Sequence, residues 1–127
     1  ANIRKGTVMA LPPLRELRLL HTNICKALGD PKRIQILYAL NEKPCNVSSL
    51  ASALKMPQPT VSRHLAILRQ RSLVSPERDG QMIVYHLADA RIIDVLDAMR
   101  RILRDSLERQ SSVFESANES ISLTESE

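Results

Sequence analysis

The stretch from Val47 to Leu87 constrains this chain more than any other. It holds two short helical patterns, a tight break between them, and two strand-like runs around an Asp-Gly pair. Asn46 can cap the first helix, with Leu50 and Leu54 turned inward. Met56-Pro57-Gln58 is the break, and Pro59 lies near the start of the next helix. On that helix Val61, Leu65 and Leu68 share one side at about 100° per residue. Arg63, Ala66 and Gln70 fall opposite, flanked by Thr60 and Ser62. The strand-like runs are Leu73 to Arg78 and Gln81 to Leu87. Asp79-Gly80 between them suits a type I′ turn, in which both central positions need φ > 0. Pro76 marks the first run as an edge strand. This order is a helix-turn-helix with a wing, a device for entering the major groove of duplex DNA.

The flanks complete a mainly α, winged helix-turn-helix fold of five helices, with the β-hairpin between the fourth and the fifth. Leu14, Leu17, Leu20 and Ile24 recur at three- and four-residue steps, so a first helix runs to Leu28, where Gly29 can terminate it. Asp30-Pro31 reads as an N-cap followed by proline at the first helical position, and Ile34, Leu37 and Leu40 give the second helix an apolar face. Asn41 to Cys45 is a loop. The last helix starts near Asp89 and runs to about Arg109 or beyond, with Ile92, Val95, Leu96, Met99, Ile102, Leu103 and Leu107 as a broad apolar stripe. Asp97 and Arg101 form an i,i+4 pair on its other face. Residues 1–13 are expected as a flexible arm, 14–110 as the domain, and 111–127, rich in Ser and Glu, as a disordered tail.

Charge is unevenly placed. Residues 15–104 carry 15 Lys and Arg against 8 Asp and Glu, whereas residues 105–127 carry one Arg and six acids. A basic body suggests a polyanionic partner. The aromatic residues are Tyr38, Tyr85 and Phe114, too few for a platform that stacks single-stranded bases. Three glycines, at 6, 29 and 80, leave no glycine-rich phosphate loop, and there is no HExxH, CxxC or serine elbow, so enzyme chemistry has no foothold. No apolar run approaches the roughly 20 residues that span a bilayer, and the segment from Arg4 to Leu11, short and followed by Pro12 and Pro13, is not expected to act as a signal peptide. The expected place is the cytoplasm, where Cys25 and Cys45 stay reduced.

The expected partner is double-stranded DNA. Gln58, Thr60, Ser62 and Arg63 near the start of the fourth helix are placed for base edges. His64 on its flank is a phosphate contact or a packing residue, and Arg78 and Gln81 at the hairpin tip can reach a phosphate or the minor groove. A last helix of some 20 residues cannot cover its whole stripe on so small a body, which argues for a second copy of the chain. The alternative is that it folds back on its own domain.

From about Leu20 to Leu107 the chain resembles the ArsR–SmtB family of bacterial repressors. The residues that carry the resemblance are Lys26-Ala-Leu-Gly-Asp-Pro-Lys-Arg-Ile-Gln-Ile-Leu, Leu50-Ala-Ser-Ala-Leu, Gln58-Pro-Thr-Val-Ser-Arg-His-Leu, and Leu73-Val through Tyr85-His-Leu. The resemblance implies a homodimer through the first and last helices, here Leu17, Leu20, Ile24, Ile92, Leu96, Met99 and Leu103, bound to an inverted-repeat operator and released by metals, metalloids or thiol chemistry. One departure is Pro57, where the family usually has a Ser that could cap the recognition helix. The family's zinc-type positions on the last helix fall on Asp89, Arg91, Ile102 and Asp105; Arg and Ile cannot ligate. Its Cys-x-Cys positions fall on Asn46 and Ser48. His21, His64 and His86 have no ligand spacing. Two thiols remain, Cys25 and Cys45, and Lys43 makes Cys45 the better reactive candidate. Arsenite prefers three thiolates and one chain offers two, so a shared metalloid site and a two-thiol redox or sulfur switch both stay open, as does simple packing. The competing function is a winged-helix protein-interaction module, or a regulator that needs no effector.

Overall fold

The computed structural model describes residues 9–125, with side chains as far as Ala117. The chain divides after Ala90 into two compact units. The first contains α1 (Leu14–Leu20), a π-helical turn (His21–Cys25), α2 (Pro31–Glu42), α3 (Val47–Leu54), α4 (Gln58–Gln70), β1 (Val74–Asp79) and β2 (Met82–Leu87). The second is α5 (Arg91–Glu125). This is the expected winged helix-turn-helix.

The first helix departs from the regular pattern. After Leu20 it widens into the π-turn, in which the Lys26 N–H reaches back five residues to the His21 carbonyl at 2.9 Å. Asn23 Nδ2 donates to the Leu19 carbonyl at 2.9 Å and holds the widened turn. Turns then lead to Gly29, where a Cβ would lie 3.2 Å from the Lys26 carbonyl oxygen. Asp30 caps α2 by accepting from Lys32 N at 2.8 Å. Asn46 caps α3 by accepting from Ser49 N at 2.7 Å. Both caps satisfy amide groups that have no partner inside the helix.

Three helices build the core. Ile36, Leu37 and Leu40 come from α2, Leu50 and Ala51 from α3, and Val61, Leu65 and Leu68 from α4. Each large aliphatic side chain buried here contributes about 1.5–3 kcal/mol. Leu73 and Val74 extend the core to the start of the wing. No polar side chain is buried among the described residues. On α2 the inward face is turned slightly from the expected one, since Ile36 is fully buried and Ile34 only half-buried.

The hairpin differs from expectation by one residue. Asp79 pairs with Met82, so the loop is Gly80-Gln81 rather than Asp79-Gly80. Gly80 has φ +66°, and neither Asp79 nor Gln81 has a positive φ. That is the type II′ pattern, with glycine at the first central position, rather than type I′. β2 also pairs on its far side. The Tyr85 N–H donates to the Cys45 carbonyl at 2.8 Å, and the Cys45 N–H donates to the Tyr85 carbonyl at 3.2 Å. Tyr85 therefore turns its backbone groups away from β1. Pro76, directly opposite, loses no ladder bond by lacking an N–H.

α5 continues well beyond Arg109, through most of the expected disordered tail, and runs 35 residues to Glu125. The Ser/Glu composition that suggests disorder contains no Gly or Pro between 91 and 125, so nothing interrupts the helical hydrogen bonds. The expected arm falls mostly outside the described residues, and residues 9–13 have no regular structure. Asp97 pairs with Arg100 at 3.4 Å, one residue short of the expected Arg101. On α5 Ile92, Ile93 and Leu96 are buried. Met99, Ile102, Leu103 and Leu107 are about half exposed or more, as are Val113 and Phe114.

Candidate DNA-binding face

α3 ends at Lys55, whose left-handed backbone, φ 56°, reverses the chain. Buried Met56 then pins the turn. Pro57 offers α4 no capping side chain. Its carbonyl serves instead, accepting from Thr60 N at 3.0 Å and Val61 N at 3.1 Å. Pro59, in the first turn, has no N–H to satisfy, so the two prolines leave little for a cap to do. Gln58 Nε2 donates to Ser48 Oγ at 3.3 Å and ties the start of α4 to the first turn of α3.

With Val61, Leu65 and Leu68 facing inward, Gln58, Ser62 and Arg63 are exposed. Thr60 is half-buried, and its hydroxyl accepts from Arg63 Nη2 at 3.4 Å. Arg78 and Gln81 are exposed on the wing. The Cys45–Tyr85 bridge and a contact from Asn46 Nδ2 to Met82 Sδ at 3.3 Å join the wing to the start of α3. Between them opens a groove of about 370 Å³ that includes Gln58 and Gln81, so residues expected on two separate elements line one concavity.

His64 faces elsewhere. Its Nδ1 lies 3.3 Å from Arg33 Nη1. Arg33 can only donate, so Nδ1 accepts and the neutral ring carries its proton on Nε2. Burial holds the His64 pKa below its ordinary 6.5; Arg33, Lys32 and Arg63 add to the effect and Asp30 opposes it. His64 is half-buried and contacts Arg33 of α2. Asp30 is also held below its usual value, first by its bond from the Lys32 amide.

Sequence reasoning missed Arg33, Asn23 and Arg71. Arg33 Nε donates to the Ala27 carbonyl at 2.7 Å and Nη2 to the Lys26 carbonyl at 3.2 Å. Arg71 Nη1 donates to Asn23 Oδ1 at 3.3 Å. An arginine three residues after a capping Asp reads as a solvated charge, and nothing in the spacing reveals its reach.

Cys25 and Cys45 are free thiols. Cys25 sits in the π-turn and is exposed; Cys45 is half-buried. The contact between Cys45 and Lys43 is to the backbone, the thiol donating to the Lys43 carbonyl at 3.3 Å. Among the described residues no three His, Cys, Asp or Glu side chains gather as a metal site.

A family model described as "Bacterial regulatory protein, arsR family" matches residues 30–75. The transcriptional repressor SmtB of Mycobacterium tuberculosis is 39% identical over 97 residues, 76% of this chain and 72% of SmtB. The chain belongs to the ArsR–SmtB family. Solved relatives agree with this. Rv0081 of M. tuberculosis is 30% identical with a TM-score of 0.66, covering 79% of this chain and 98% of that one. Mb0332 of Mycobacterium bovis, solved as a homodimeric winged helix-turn-helix DNA-binding domain, is 28% identical with a TM-score of 0.66, covering 80% and 95%. As an ArsR–SmtB protein the chain is a transcriptional regulator, not an enzyme. Arg33, His64 and the whole helix-turn-helix lie within the matched residues; Cys25 and the wing tip lie outside them.

The His64 environment gives a pH dependence. The fold favours the neutral ring, so its contribution to stability is complete above the ordinary value of 6.5 and is lost as pH falls through the lower folded value. Thermal melts at about pH 7.5 and about pH 5 should show a larger loss on acidification in wild type than in His64→Gln. Equal losses would remove His64 as the titrating group.

Proposed function

We propose that this ArsR–SmtB protein is a cytoplasmic, homodimeric repressor that binds an inverted-repeat operator in double-stranded DNA and is released by an effector acting on Cys25 and Cys45. The observation that carries the DNA reading is the outward face of α4. Its buried side is fixed by Val61, Leu65 and Leu68, so Gln58, Ser62 and Arg63 stand exposed, as do the wing residues Arg78 and Gln81, and Gln58 and Gln81 line one groove. No helix among the described residues is long and apolar enough to cross a membrane.

The roles of α4 and the wing separate in one experiment. Arg63→Ala should cost about 1–3 kcal/mol and relax preference at one base pair. Arg78→Ala should weaken all sequences alike and reduce the salt slope by about one. Unchanged affinity and selectivity in Arg63→Ala would remove that residue from base recognition.

A second copy of the chain is the simplest cover for the exposed apolar side chains of α1 and α5, among them Leu17, Leu20, Met99 and Leu103. Two α4 helices would then stand about 34–36 Å apart, one turn of DNA. Leu96 is 2% exposed, so changing it would damage the fold rather than test the interface. Met99→Glu with Leu103→Glu should yield folded monomers in sedimentation and abolish operator binding. A wild type that is monomeric at micromolar concentration would overturn the dimer.

Derepression through the thiols has its support in position. Cys25 lies in the π-turn of the first helix, and Cys45 bridges the start of α3 to the wing. A link between them, as a disulfide or through a sulfur or metalloid such as arsenite, would disturb both attachments of the helix-turn-helix. A 99:1 reversal of the bound-competent population needs on the order of 5 kcal/mol, within reach of a covalent link. Operator affinity of wild type and of a Cys25→Ser, Cys45→Ser chain should be compared with and without arsenite, peroxide or polysulfide. Response in wild type alone is expected; an equal response in both makes the thiols packing residues.

A further inference from the structure

We propose that Arg33, together with the Asn23–Arg71 pair, is a two-point clamp that positions the recognition helix α4 against the first helix. The inference rests on the DNA-binding reading above and adds residues that touch no DNA. Three donors of one planar guanidinium are used at once. Two reach the Lys26 and Ala27 carbonyls, just past the π-turn; the Lys26 carbonyl also accepts from the Gly29 N–H at 3.1 Å. The third reaches His64 Nδ1 on α4. The Arg33 side chain is 13% exposed, and its Nη1 also lies 4.0 Å from the Asp30 carboxylate. A guanidinium fork holds its acceptors in one plane, which a lysine ammonium cannot do.

The first point is mid-way along α4; the second lies at its C-terminal end. Arg71, which follows its last turn, donates to Asn23 in the π-turn, and Asn23 is itself held by the Leu19 carbonyl. His64 and Arg71 are about two helical turns apart along α4. One attachment would let α4 pivot; two attachments separated along its axis fix its tilt. Both lead to the same short stretch of the first helix, residues 23 to 27. Cys25 lies between the two anchors.

A purely stabilising role for these bonds would lower folding stability and leave the DNA affinity of the folded protein intact. A positioning role makes a different prediction, because a specific duplex requires two recognition helices in register while random-sequence DNA does not. The probe is an inverted-repeat duplex selected from a random library by the wild-type full chain, compared with a random-sequence duplex of equal length. Arg33→Lys keeps the charge and loses the fork. His64→Leu removes the acceptor, and His64→Gln retains one. Arg33→Lys and His64→Leu, shown folded by circular dichroism, should each weaken the selected duplex about tenfold or more. Both should bind random DNA within about twofold of wild type with the salt slope unchanged, and His64→Gln should stay near wild type on both duplexes.

Wild-type affinity in Arg33→Lys overturns the clamp. A parallel loss on both duplexes with a slope shallower by about one makes Arg33 a phosphate contact and overturns it too. His64→Gln as damaging as His64→Leu removes His64 as an anchor. If Arg33→Lys does not fold, Arg71→Lys is read in the same way at the second anchor. Failure of the wild type to select any duplex overturns the DNA-binding reading itself, and the clamp with it.

Discussion

The side on which α4 is buried decides everything else about this molecule. Val61, Leu65 and Leu68 are almost wholly removed from water, against a core completed by Ile36, Leu37, Leu40 and Leu50. Because side chains on a helix cannot change face independently, burying these three sends Ser62 and Arg63 outward. Hydrophobic packing is non-directional, however, and it tolerates small rotations of a smooth aliphatic face. It selects the face of α4 without fixing its angle.

The finer angle is left to polar contacts at the edge of the core. These are few and directional. Arg33 joins the end of the first helix to His64, Arg71 joins the end of α4 to Asn23, and the Cys45–Tyr85 bridge joins the wing to the start of α3. The two thiols lie at or beside these junctions rather than in the core.

Much of this was legible in the sequence. The helices, the caps at Asp30 and Asn46, the inward face of α4 and the hairpin all follow from periodicity and cap chemistry, which are local properties. Three things were not. The hairpin loop moved by one residue, because Asp-Gly and Gly-Gln are both acceptable turn pairs and the register is decided by pairing along β2 on both of its sides. The tail after Ser111 reads as disordered yet is helical, because Ser and Glu argue against a buried face but do not by themselves stop a helix. Arg33 was missed because its bonds reach backward over a turn and across to another helix, and no spacing rule encodes such a reach.

Pro76 has an effect beyond its own pairing. Since the backbone of this position points away from β2, the missing N–H lies on the open side of β1. Unpaired strand edges are templates for another chain, and a proline there removes a donor that an incoming strand would need. The wing can thus expose a strand to solvent beside an extended ligand with little risk of zipping to the wing of a neighbouring molecule. A hairpin so protected can be crowded onto DNA at high local concentration and remain a hairpin.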